Sequence, residues 1–336
     1  MRAMRLHGQA LIDTHPLRLE EVPDPAPAAG EVRVRVRTSA ICRTDLHVIE
    51  GDLPPRCMPL IPGHQVVGTV DALGPGCQRF RIGDRIGIAW LRWTCGTCEF
   101  CRAGQENLCE RSRYTGYHAD GGYSELALVP EAFAYPIPPV FSDREAAPLL
   151  CAGIIGYRAL RRSAVPPGGR LGLYGFGSSA HIVIQIARHR GCRVFVATRG
   201  ASHRALARQL GAEWVGQAAQ AMPEPLDAAI LFAPAGELVP VALRAVRKGG
   251  TVAIAGIHLS PVPTMAYAEC LFHEKVLTSV EANTRRDGEE LFREAAAIPI
   301  RPETTAFRLE EANDALVQLR RDLIRGTAIL AVDPGA

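Results

Sequence analysis

The sequence has no long hydrophobic run, no marked excess of either charge, and almost no lysine. No stretch of its 336 residues approaches the roughly 20 apolar residues that a membrane-spanning helix needs. Lysine is confined to Lys248 and Lys275, so arginine supplies nearly all the positive charge. A net charge of +3 is too small to favour nucleic acid or an anionic membrane surface. We therefore expect neither a nucleic-acid partner nor a membrane partner.

Internal repeats and low-complexity segments are also missing, and residues 1–9 show no apolar core of signal-peptide length. These features predict a cytoplasmic protein, and thiols stay reduced in that compartment. The ten cysteines therefore indicate metal ligation or catalysis before disulfides. A chain of 336 residues is longer than one hydrophobic core usually organises, so two domains are expected.

The two halves of the chain have different hydrophobic patterns. Residues 31–37 alternate strictly between apolar and charged side chains, and short strands punctuated by glycine and proline continue to about Val129. After about Cys151, apolar strands such as 170–174 and 251–256 alternate with helical stretches such as 178–190, which predicts a parallel, doubly wound sheet. A last strand, 328–332, is expected to return to the first domain.

A cluster of cysteines has the spacing C-x2-C-x2-C-x7-C, formed by Cys95, Cys98, Cys101 and Cys109. Four thiolates this close can wrap one tetrahedral zinc, and a closed site of four sulfurs stabilises structure without performing chemistry. An iron–sulfur cluster is the rival interpretation, but the bacterial ferredoxin run has a different last spacing and a following proline. The spacing therefore favours structural zinc over an iron–sulfur cluster or a chance grouping.

A glycine-rich turn follows the first apolar strand of the second half. The segment Gly175-Phe176-Gly177-Ser178-Ser179-Ala180 fits G-x-G-x-x-A between a strand and a helix. The first glycine permits the tight turn, the second lets a pyrophosphate approach the backbone, and the small Ala180 lets the helix pack closely. A turn that serves packing alone is the alternative. Its place in a strand–turn–helix–strand unit favours dinucleotide binding.

The residues at the end of the next strand would contact the adenosine ribose of such a cofactor. An NAD site usually carries Asp or Glu there, whereas this strand ends Ala197-Thr198-Arg199, with Arg204 a turn further on. A guanidinium can pair with a 2′-phosphate. The pattern favours NADP over NAD, and a solvated arginine is the alternative.

Three separated residues could form a second metal site. Cys42, His64 and Cys151 offer two thiolates and one imidazole, which leaves a fourth position of a zinc ion for water or substrate. Spacing alone does not establish this set, because each of these residue types is more often buried for packing than bound to metal.

The order of the motifs resembles the zinc-containing alcohol dehydrogenases of the medium-chain dehydrogenase/reductase superfamily over essentially the whole chain. Cys42-Arg43-Thr44-Asp45 resembles the first zinc-ligand motif, Gly63-His64 the second, and Cys151 stands where the third ligand is expected. The four-cysteine lobe and the glycine turn follow in the family's order. Residues 147–160 are most similar to the bacterial branch grouped with cinnamyl-alcohol-type enzymes.

This resemblance implies an α/β fold class with a GroES-like, β-rich catalytic domain over residues 1–152 that carries both zinc sites. It implies a Rossmann NAD(P)-binding domain over residues 153–285 and a segment, 286–336, that returns to the catalytic domain. It also implies two zinc ions per chain, one catalytic and one structural, and a homodimer or homotetramer.

The resemblance further implies reversible hydride transfer between an alcohol or aldehyde and the nicotinamide. Zinc on Cys42, His64 and Cys151 would bind the alcohol oxygen. Thr44 matches the hydroxyl that takes the alcohol proton, and His47 matches the distal base that passes it to solvent. Asp45 would fix the tautomer of His64. A solvated surface histidine is the alternative for His47.

Trp90 and Leu91 match pocket-lining positions, and a tryptophan there favours unbranched primary alcohols; Cys57 is a further pocket candidate. A core aromatic is the alternative for Trp90. The chain departs from the family pattern at Gln65, where relatives commonly have Glu, and at the C-terminal end, where Arg325 is the nearest candidate for a pyrophosphate-binding arginine.

Two other functions compete with the dehydrogenase. A zinc-free quinone or enoyl reductase of the same superfamily predicts that the ligands are lost, yet Cys42, His64 and Cys151 are all present. A non-catalytic zinc and nucleotide-binding protein predicts loss of Thr44 or of the open-site ligands, and none is lost.

Overall fold

A computed structural model describes residues 1–298 and 300–332. The strands of this part of the chain are β1 (Arg2–Leu6), β2 (Leu17–Glu21), β3 (Glu31–Ala40), β4 (Gln65–Leu73), β5 (Arg85–Ile88), β6 (Leu91–Trp93), β7 (Arg113–Tyr114), β8 (Leu126–Pro130), β9 (Ala134–Pro136), β10 (Arg170–Tyr174), β11 (Arg193–Ala197), β12 (Trp214–Gly216), β13 (Leu226–Leu231), β14 (Val246–Ile254), β15 (Val276–Ser279), β16 (Thr304–Arg308) and β17 (Thr327–Ala331). The α-helices are α1 (Arg43–Glu50), α2 (Glu99–Arg102), α3 (Asp143–Ala146), α4 (Ala152–Arg162), α5 (Ser178–His189), α6 (Ala201–Gln209), α7 (Leu238–Ala245), α8 (Tyr267–Cys270), α9 (Arg285–Ala297) and α10 (Ala312–Arg320). Short 3-10 helices occupy Ile12–Thr14, Glu106–Leu108, Glu131–Phe133, Ala147–Leu150 and Leu309–Glu311.

The chain folds into two compact units, and none of the described helices is long and apolar enough to cross a membrane. The first unit comprises Met1–Cys151, Ala282–Ala296 and Pro302–Ala336, and the second comprises Ala152–Glu281 and Ala297–Arg301.

The first unit is built on a seven-stranded sheet ordered β16-β17-β3-β4-β5-β9, with β8 also paired to β3. The alternation in residues 31–37 works as predicted, because Val32, Val34 and Val36 are buried in the core. Strand β17 pairs antiparallel with β3, placing Ile329 opposite Ala40. The last strand therefore belongs to the same sheet as β3.

The second unit has a six-stranded, all-parallel sheet ordered β12-β11-β10-β13-β14-β15. Its central strands are apolar along most of their length, and Leu171, Leu173, Ala229 and Leu231 are fully buried. Continuous burial of this kind is typical of parallel strands that are covered on both faces. The predicted parallel, doubly wound sheet is confirmed.

The amino ends and the carboxyl ends of the strands in this parallel sheet carry different kinds of residues. At the amino ends of the strands, Asp227 accepts hydrogen bonds from Arg170 at 3.0 Å and Arg247 at 2.6 Å. Hydrogen bonds from Arg170 are the main reason that the pKa of Asp227 lies well below its ordinary value. The glycine turn lies at the opposite edge, after the carboxyl end of β10, which is where open α/β sheets bind ligands.

Candidate metal centres and cofactor-binding turn

Helix α1 positions several of the predicted site residues through its N-terminal cap. The Cys42 side chain caps the helix by accepting a hydrogen bond from the Thr44 backbone N–H at 3.3 Å. Asp45 completes a capping box, because its Oδ2 accepts from the Cys42 backbone N–H at 2.8 Å. Cys42, Thr44 and Asp45 are therefore held by one helix end.

His64 is held between Asp45 and Cys42. Its Nδ1 lies 3.0 Å from Asp45 Oδ1, and its Nε2 lies 3.3 Å from Cys42 Sγ. His64 and Asp45 are only 1% and 2% exposed, so this carboxylate–imidazole pair is shielded from water. The Asp45 carboxylate at Nδ1 orients the ring and turns Nε2 toward the Cys42 sulfur. Asp45 thus caps α1 and orients His64 at once.

Gly63 allows the chain to reach this position. Its φ is +95°, and a Cβ at this residue would lie 2.3 Å from the ring of Tyr123. Only glycine adopts this conformation readily and also tolerates the close approach of the ring.

Cys151 completes the second donor set. It follows the 3-10 helix Ala147–Leu150, and the ligand atoms of Cys42, His64 and Cys151 all lie within 4.8 Å of one another. A hydrogen bond from the Cys151 thiol lowers the pKa of Cys42 well below its ordinary value, and the same bond raises the pKa of Cys151. Burial disfavours a charged His64, but Cys42 and Asp45 outweigh it and raise the pKa of His64 to about 10.

These three residues fit a zinc ion. Two sulfurs and one imidazole nitrogen within such a distance match three corners of a tetrahedron, and their number leaves the fourth corner open. Crowded thiols and an imidazole that compete for protons are also the groups that a dication deprotonates and stabilises.

The four-cysteine lobe forms the other donor set. The sulfurs of Cys95, Cys98, Cys101 and Cys109 lie within 4.8 Å of one another. Hydrogen bonds led by the Thr97 backbone N–H, and joined by the Arg111 side chain, lower the pKa of Cys95 to about 5. Four thiolates close the coordination shell, so this set fits a zinc ion with a structural role.

Glu106 joins this lobe to helix α9, a contact that no sequence motif predicted. It is 7% exposed and accepts hydrogen bonds from Arg285 Nε at 3.0 Å and Nη2 at 2.7 Å. The Arg285 backbone N–H also donates to it, at 2.8 Å. A bidentate pair is geometrically specific, so it fixes the lobe to the start of α9. The partners are 179 residues apart, and no local pattern could reveal them.

The predicted relay residues share helix α1. Thr44 and His47 are three residues apart, so their side chains are neighbours on the helix surface. His47 Nδ1 lies 2.7 Å from Asp52 Oδ2, a partner that the sequence did not indicate.

Aromatic rings surround one side of His64. The Trp90 ring meets the His64 ring edge-on at 4.9 Å and stacks on Tyr114 at 4.8 Å and on Tyr117 at 5.9 Å. Cys57 packs against the same small cluster. Leu91 is placed differently, because it is 2% exposed and belongs to the main core of the first unit.

The two departures from the family pattern have different surroundings. Gln65 begins β4 and is completely buried, and neither polar atom of its amide has a hydrogen-bond partner within residues 1–298 and 300–332. Arg325 is half exposed and lies 3.3 Å from Glu303. An arginine engaged with a carboxylate in this way offers no support for the expected pyrophosphate contact.

The glycine turn has the geometry that a dinucleotide needs. Gly175 has a φ of +90°, and a Cβ there would lie 2.8 Å from the Ala233 backbone nitrogen. A Cβ on Gly177 would meet nothing within 4 Å, so this backbone is open to close approach. Helix α5 begins at Ser178, and Ala180 is fully buried in its first turn. The pyrophosphate of a nicotinamide cofactor fits such a helix N-terminus.

The segment after β11 carries the remaining predicted cofactor residues. Thr198 is buried, whereas the Arg199 side chain is exposed. Arg204 Nη1 donates to the carbonyl oxygens of Thr198 and Arg199, and so supports the loop. No Asp or Glu occurs between residues 193 and 213, and Glu213 itself pairs with Arg193 at the other end of the strand.

Comparisons with known proteins agree with this geometry. Residues 28–139 match the family model of the alcohol dehydrogenase GroES-like domain, and residues 180–297 match that of the zinc-binding dehydrogenases. The chain is 51% identical to the probable alcohol dehydrogenase AdhA of Mycobacterium tuberculosis (strain CDC 1551 / Oshkosh), covering 99% of this chain and 97% of that protein. It is 35% identical to an alcohol dehydrogenase of Geobacillus stearothermophilus, covering 95% and 97%. Among solved structures, a cinnamyl alcohol dehydrogenase from Sorghum bicolor superposes with a TM-score of 0.88 at 25% identity, covering 98% and 97%.

A GroES-like unit with two zinc donor sets and a dinucleotide-binding unit together define a nicotinamide-dependent oxidoreductase that uses zinc. The chain belongs to the zinc-containing alcohol dehydrogenases of the medium-chain dehydrogenase/reductase superfamily. It is accordingly a zinc-dependent alcohol dehydrogenase. The presence of both donor sets argues against a zinc-free reductase.

Proposed function

We propose that this dehydrogenase interconverts primary alcohols and aldehydes at the centre formed by Cys42, His64 and Cys151. The observation that carries the proposal is a buried set of three donors that leaves one zinc position open. Zinc, when bound there, supplies a Lewis acid that lowers the pKa of an alcohol oxygen. A dinucleotide held by its pyrophosphate at the glycine turn would supply the nicotinamide chemistry of hydride transfer.

The protein's own residues would hold the reactants and move the proton. Thr44 takes the hydroxyl proton of the alcohol, and His47 passes it toward solvent. Asp45 keeps the His64 Nε2 lone pair directed at the metal position, because it occupies Nδ1 at 3.0 Å. Cys95, Cys98, Cys101 and Cys109 hold the structural zinc and take no part in the reaction.

Trp90 is proposed as a wall of the alcohol site. Its stacking on Tyr114 and Tyr117 leaves it little freedom to rotate away, and it stands against the ligand His64. A rigid indole at this place favours unbranched primary alcohols. Cys57, in the same cluster, is proposed to border the site, whereas Leu91 supports it from the core.

We propose NADP as the preferred cofactor. The loop after β11 has an exposed guanidinium on Arg199 and no carboxylate that could hold a ribose 2′-hydroxyl. Because Arg204 binds the loop's carbonyl groups, its role is to shape the loop, and Arg199 is the group placed to meet a 2′-phosphate. Gly175, Gly177, Ser178 and Ala180 are proposed to receive the pyrophosphate, and Thr198 to border the adenosine.

Replacing Arg199 with alanine tests the cofactor preference. We expect the KM for NADP to rise by about tenfold or more, because a charged hydrogen bond to the phosphate is lost. The KM for NAD should change by less than about twofold, since NAD has no 2′-phosphate. Initial rates with both cofactors measure the two KM values. Arg208→Ala is the matched control, because it removes an exposed guanidinium that lies on α6 and outside the loop after β11. An equal change for both cofactors would reject Arg199 as the phosphate ligand.

The activity itself is tested by turnover of butanol and butanal with NADP(H) and NAD(H), combined with metal analysis. We expect turnover in both directions and two zinc ions per chain. A preparation with two zinc ions and bound nucleotide but no turnover would instead support the non-catalytic zinc and nucleotide-binding protein.

We propose that the chain acts in the cytoplasm as a homodimer or homotetramer that associates through the β15 edge of the parallel sheet. Strand β15 ends the strand order, and exposed apolar side chains gather in and before it. They are Ile257, Val262, Tyr267, Phe272 and Val276.

Replacing Phe272 with glutamate should weaken this association, and sedimentation velocity of the variant should show smaller particles than the wild type. Leu11→Glu is the control, because Leu11 is an exposed apolar residue of the first unit, and this change should leave the particle size unaltered.

A further inference from the structure

The carboxylate of Asp52 lies against the predicted distal base. Its Oδ2 is 2.7 Å from His47 Nδ1, the nitrogen nearer the helix backbone. The His47 side chain is 18% exposed, and that of Asp52 is 61% exposed. The family motifs that identify Thr44 and His47 do not include this residue.

Hydrogen bonds to the backbone hold the turn that carries Asp52. Gly51 ends α1 with a φ of +94°, a conformation that glycine adopts without strain, and so folds the chain back along the helix. The Leu53 backbone N–H then donates to the His47 carbonyl oxygen at 3.1 Å. Gln9 Nε2 ties the turn to the helix by donating to the carbonyl oxygens of Val48 at 2.8 Å and Leu53 at 2.7 Å. The backbone therefore holds Asp52 beside His47.

The protonation states follow from this contact. A carboxylate such as that of Asp52 can only accept hydrogen bonds. The imidazole must therefore donate from Nδ1, and the neutral ring then carries its lone pair on Nε2.

We propose that Asp52 is a positioning residue for His47 in the proton relay, an inference that rests on the proposed function. Its carboxylate orients the ring, keeps the Nδ1–H tautomer, and stabilises the imidazolium that forms when Nε2 takes up the proton that Thr44 has received from the alcohol and passed on. The imidazolium then releases the Nε2 proton to water, and the ring returns to its starting tautomer. Asp52 gains and loses no proton in this cycle.

An exposed ion pair contributes little to stability, so a purely structural role of Asp52 predicts little change in either the unfolding midpoint or turnover. A positioning role predicts an effect on turnover that depends on His47. We expect Asp52→Asn to lower kcat/KM for alcohol oxidation by about tenfold with an unchanged unfolding midpoint. Asp52→Glu should restore it to within about threefold, because a carboxylate is again available to Nδ1.

A double-mutant cycle tests whether Asp52 acts through His47. In a His47→Gln background, Asp52→Asn should change kcat/KM by less than about twofold, since the group through which it acts is absent. Asp314→Asn is the matched control, because Asp314 is an exposed carboxylate 3.9 Å from a different exposed histidine, His15. A tenfold loss that persists without His47, or an equal loss in the control, would overturn the proposal.

A spectroscopic measurement separates this inference from the proposed function. Histidine nitrogen-15 shifts of the zinc-loaded enzyme, with the His47 signals assigned by their absence in His47→Gln, report which ring nitrogen carries the proton. We expect the Nδ1–H tautomer in the wild type and a shift toward Nε2–H in Asp52→Asn. An unchanged tautomer contradicts the role of Asp52 whatever the activity, whereas a wild type without turnover but with the expected tautomers would contradict only the proposed function.

Discussion

Replacing Cys151 with alanine should lower kcat for alcohol oxidation by about a thousandfold or more, because the metal's stabilisation of a developing alkoxide amounts to several kcal/mol. Cys151 is the ligand of choice for this experiment. Cys42 also caps α1, and removal of His64 would leave Asp45 buried without its partner, so either change would disturb the fold as well as the metal. Cys151 contributes a thiol and little else.

Turnover and zinc content should be measured together on the same preparation. The variant should retain one zinc per chain, in the four-cysteine lobe, and unfold near the wild-type temperature. Cys192→Ala is a suitable control, because it removes a buried thiol of the second unit that belongs to neither donor set. A Cys151→Ala enzyme that keeps two zinc ions, or more than about a tenth of its turnover, would contradict the assignment of this ligand.

Replacing Cys101 with serine should act mainly on stability. Loss of a structural zinc removes several kcal/mol of folding free energy, and we expect the unfolding midpoint to fall by about 10 °C or more. The bidentate contact between Glu106 and Arg285 depends on the same lobe, so the start of α9 should loosen with it. Turnover measured at low temperature should fall much less than in Cys151→Ala.

Calorimetry and metal analysis check this second result. Cys77→Ser is the control, because Cys77 is a partly buried cysteine of the same unit outside both donor sets. It should leave two zinc ions and move the midpoint by less than about 2 °C. Iron in place of zinc in the wild type, or an unshifted midpoint in Cys101→Ser, would contradict the structural zinc.

The order and class of the main elements followed from hydrophobic periodicity. Strand β10 was predicted over residues 170–174, where it lies, and α5 over 178–190, against Ser178–His189 in the structure. Strand β14 shows where periodicity fails. The apolar run predicted 251–256, but the strand begins at Val246 because a register shift lets that residue pair with Leu226 across Lys248-Gly249-Gly250, which looks like a turn. Pairing with a distant strand decides such boundaries.

The metal centres show the same limit. The four cysteines of the lobe lie within 15 residues of sequence, and their spacing alone was enough to group them. Cys42, His64 and Cys151 are far apart, so the family resemblance was needed to propose them, and the structure then brings their ligand atoms together. Asp52 and Glu106 have no such motif. Trp90 and Leu91 were expected to line one pocket. Trp90 lies against the His64 ring, whereas Leu91 is buried in the main core of the first unit.

Helix α1 carries the proposed metal ligand Cys42 at its cap, the proposed proton acceptor Thr44 in its first turn and the proposed relay base His47 one turn later. The spacing of these residues should therefore tolerate less change than the identity of the other residues of the helix. One inserted residue between Cys42 and His47 would rotate everything after it by about 100° around the helix axis. An insertion before Asp45 would remove this residue from both the cap and His64, and an insertion between His47 and Asp52 would separate that pair. Evolution can therefore exchange individual side chains along α1, but insertions and deletions within these eight residues should be purged from functional descendants.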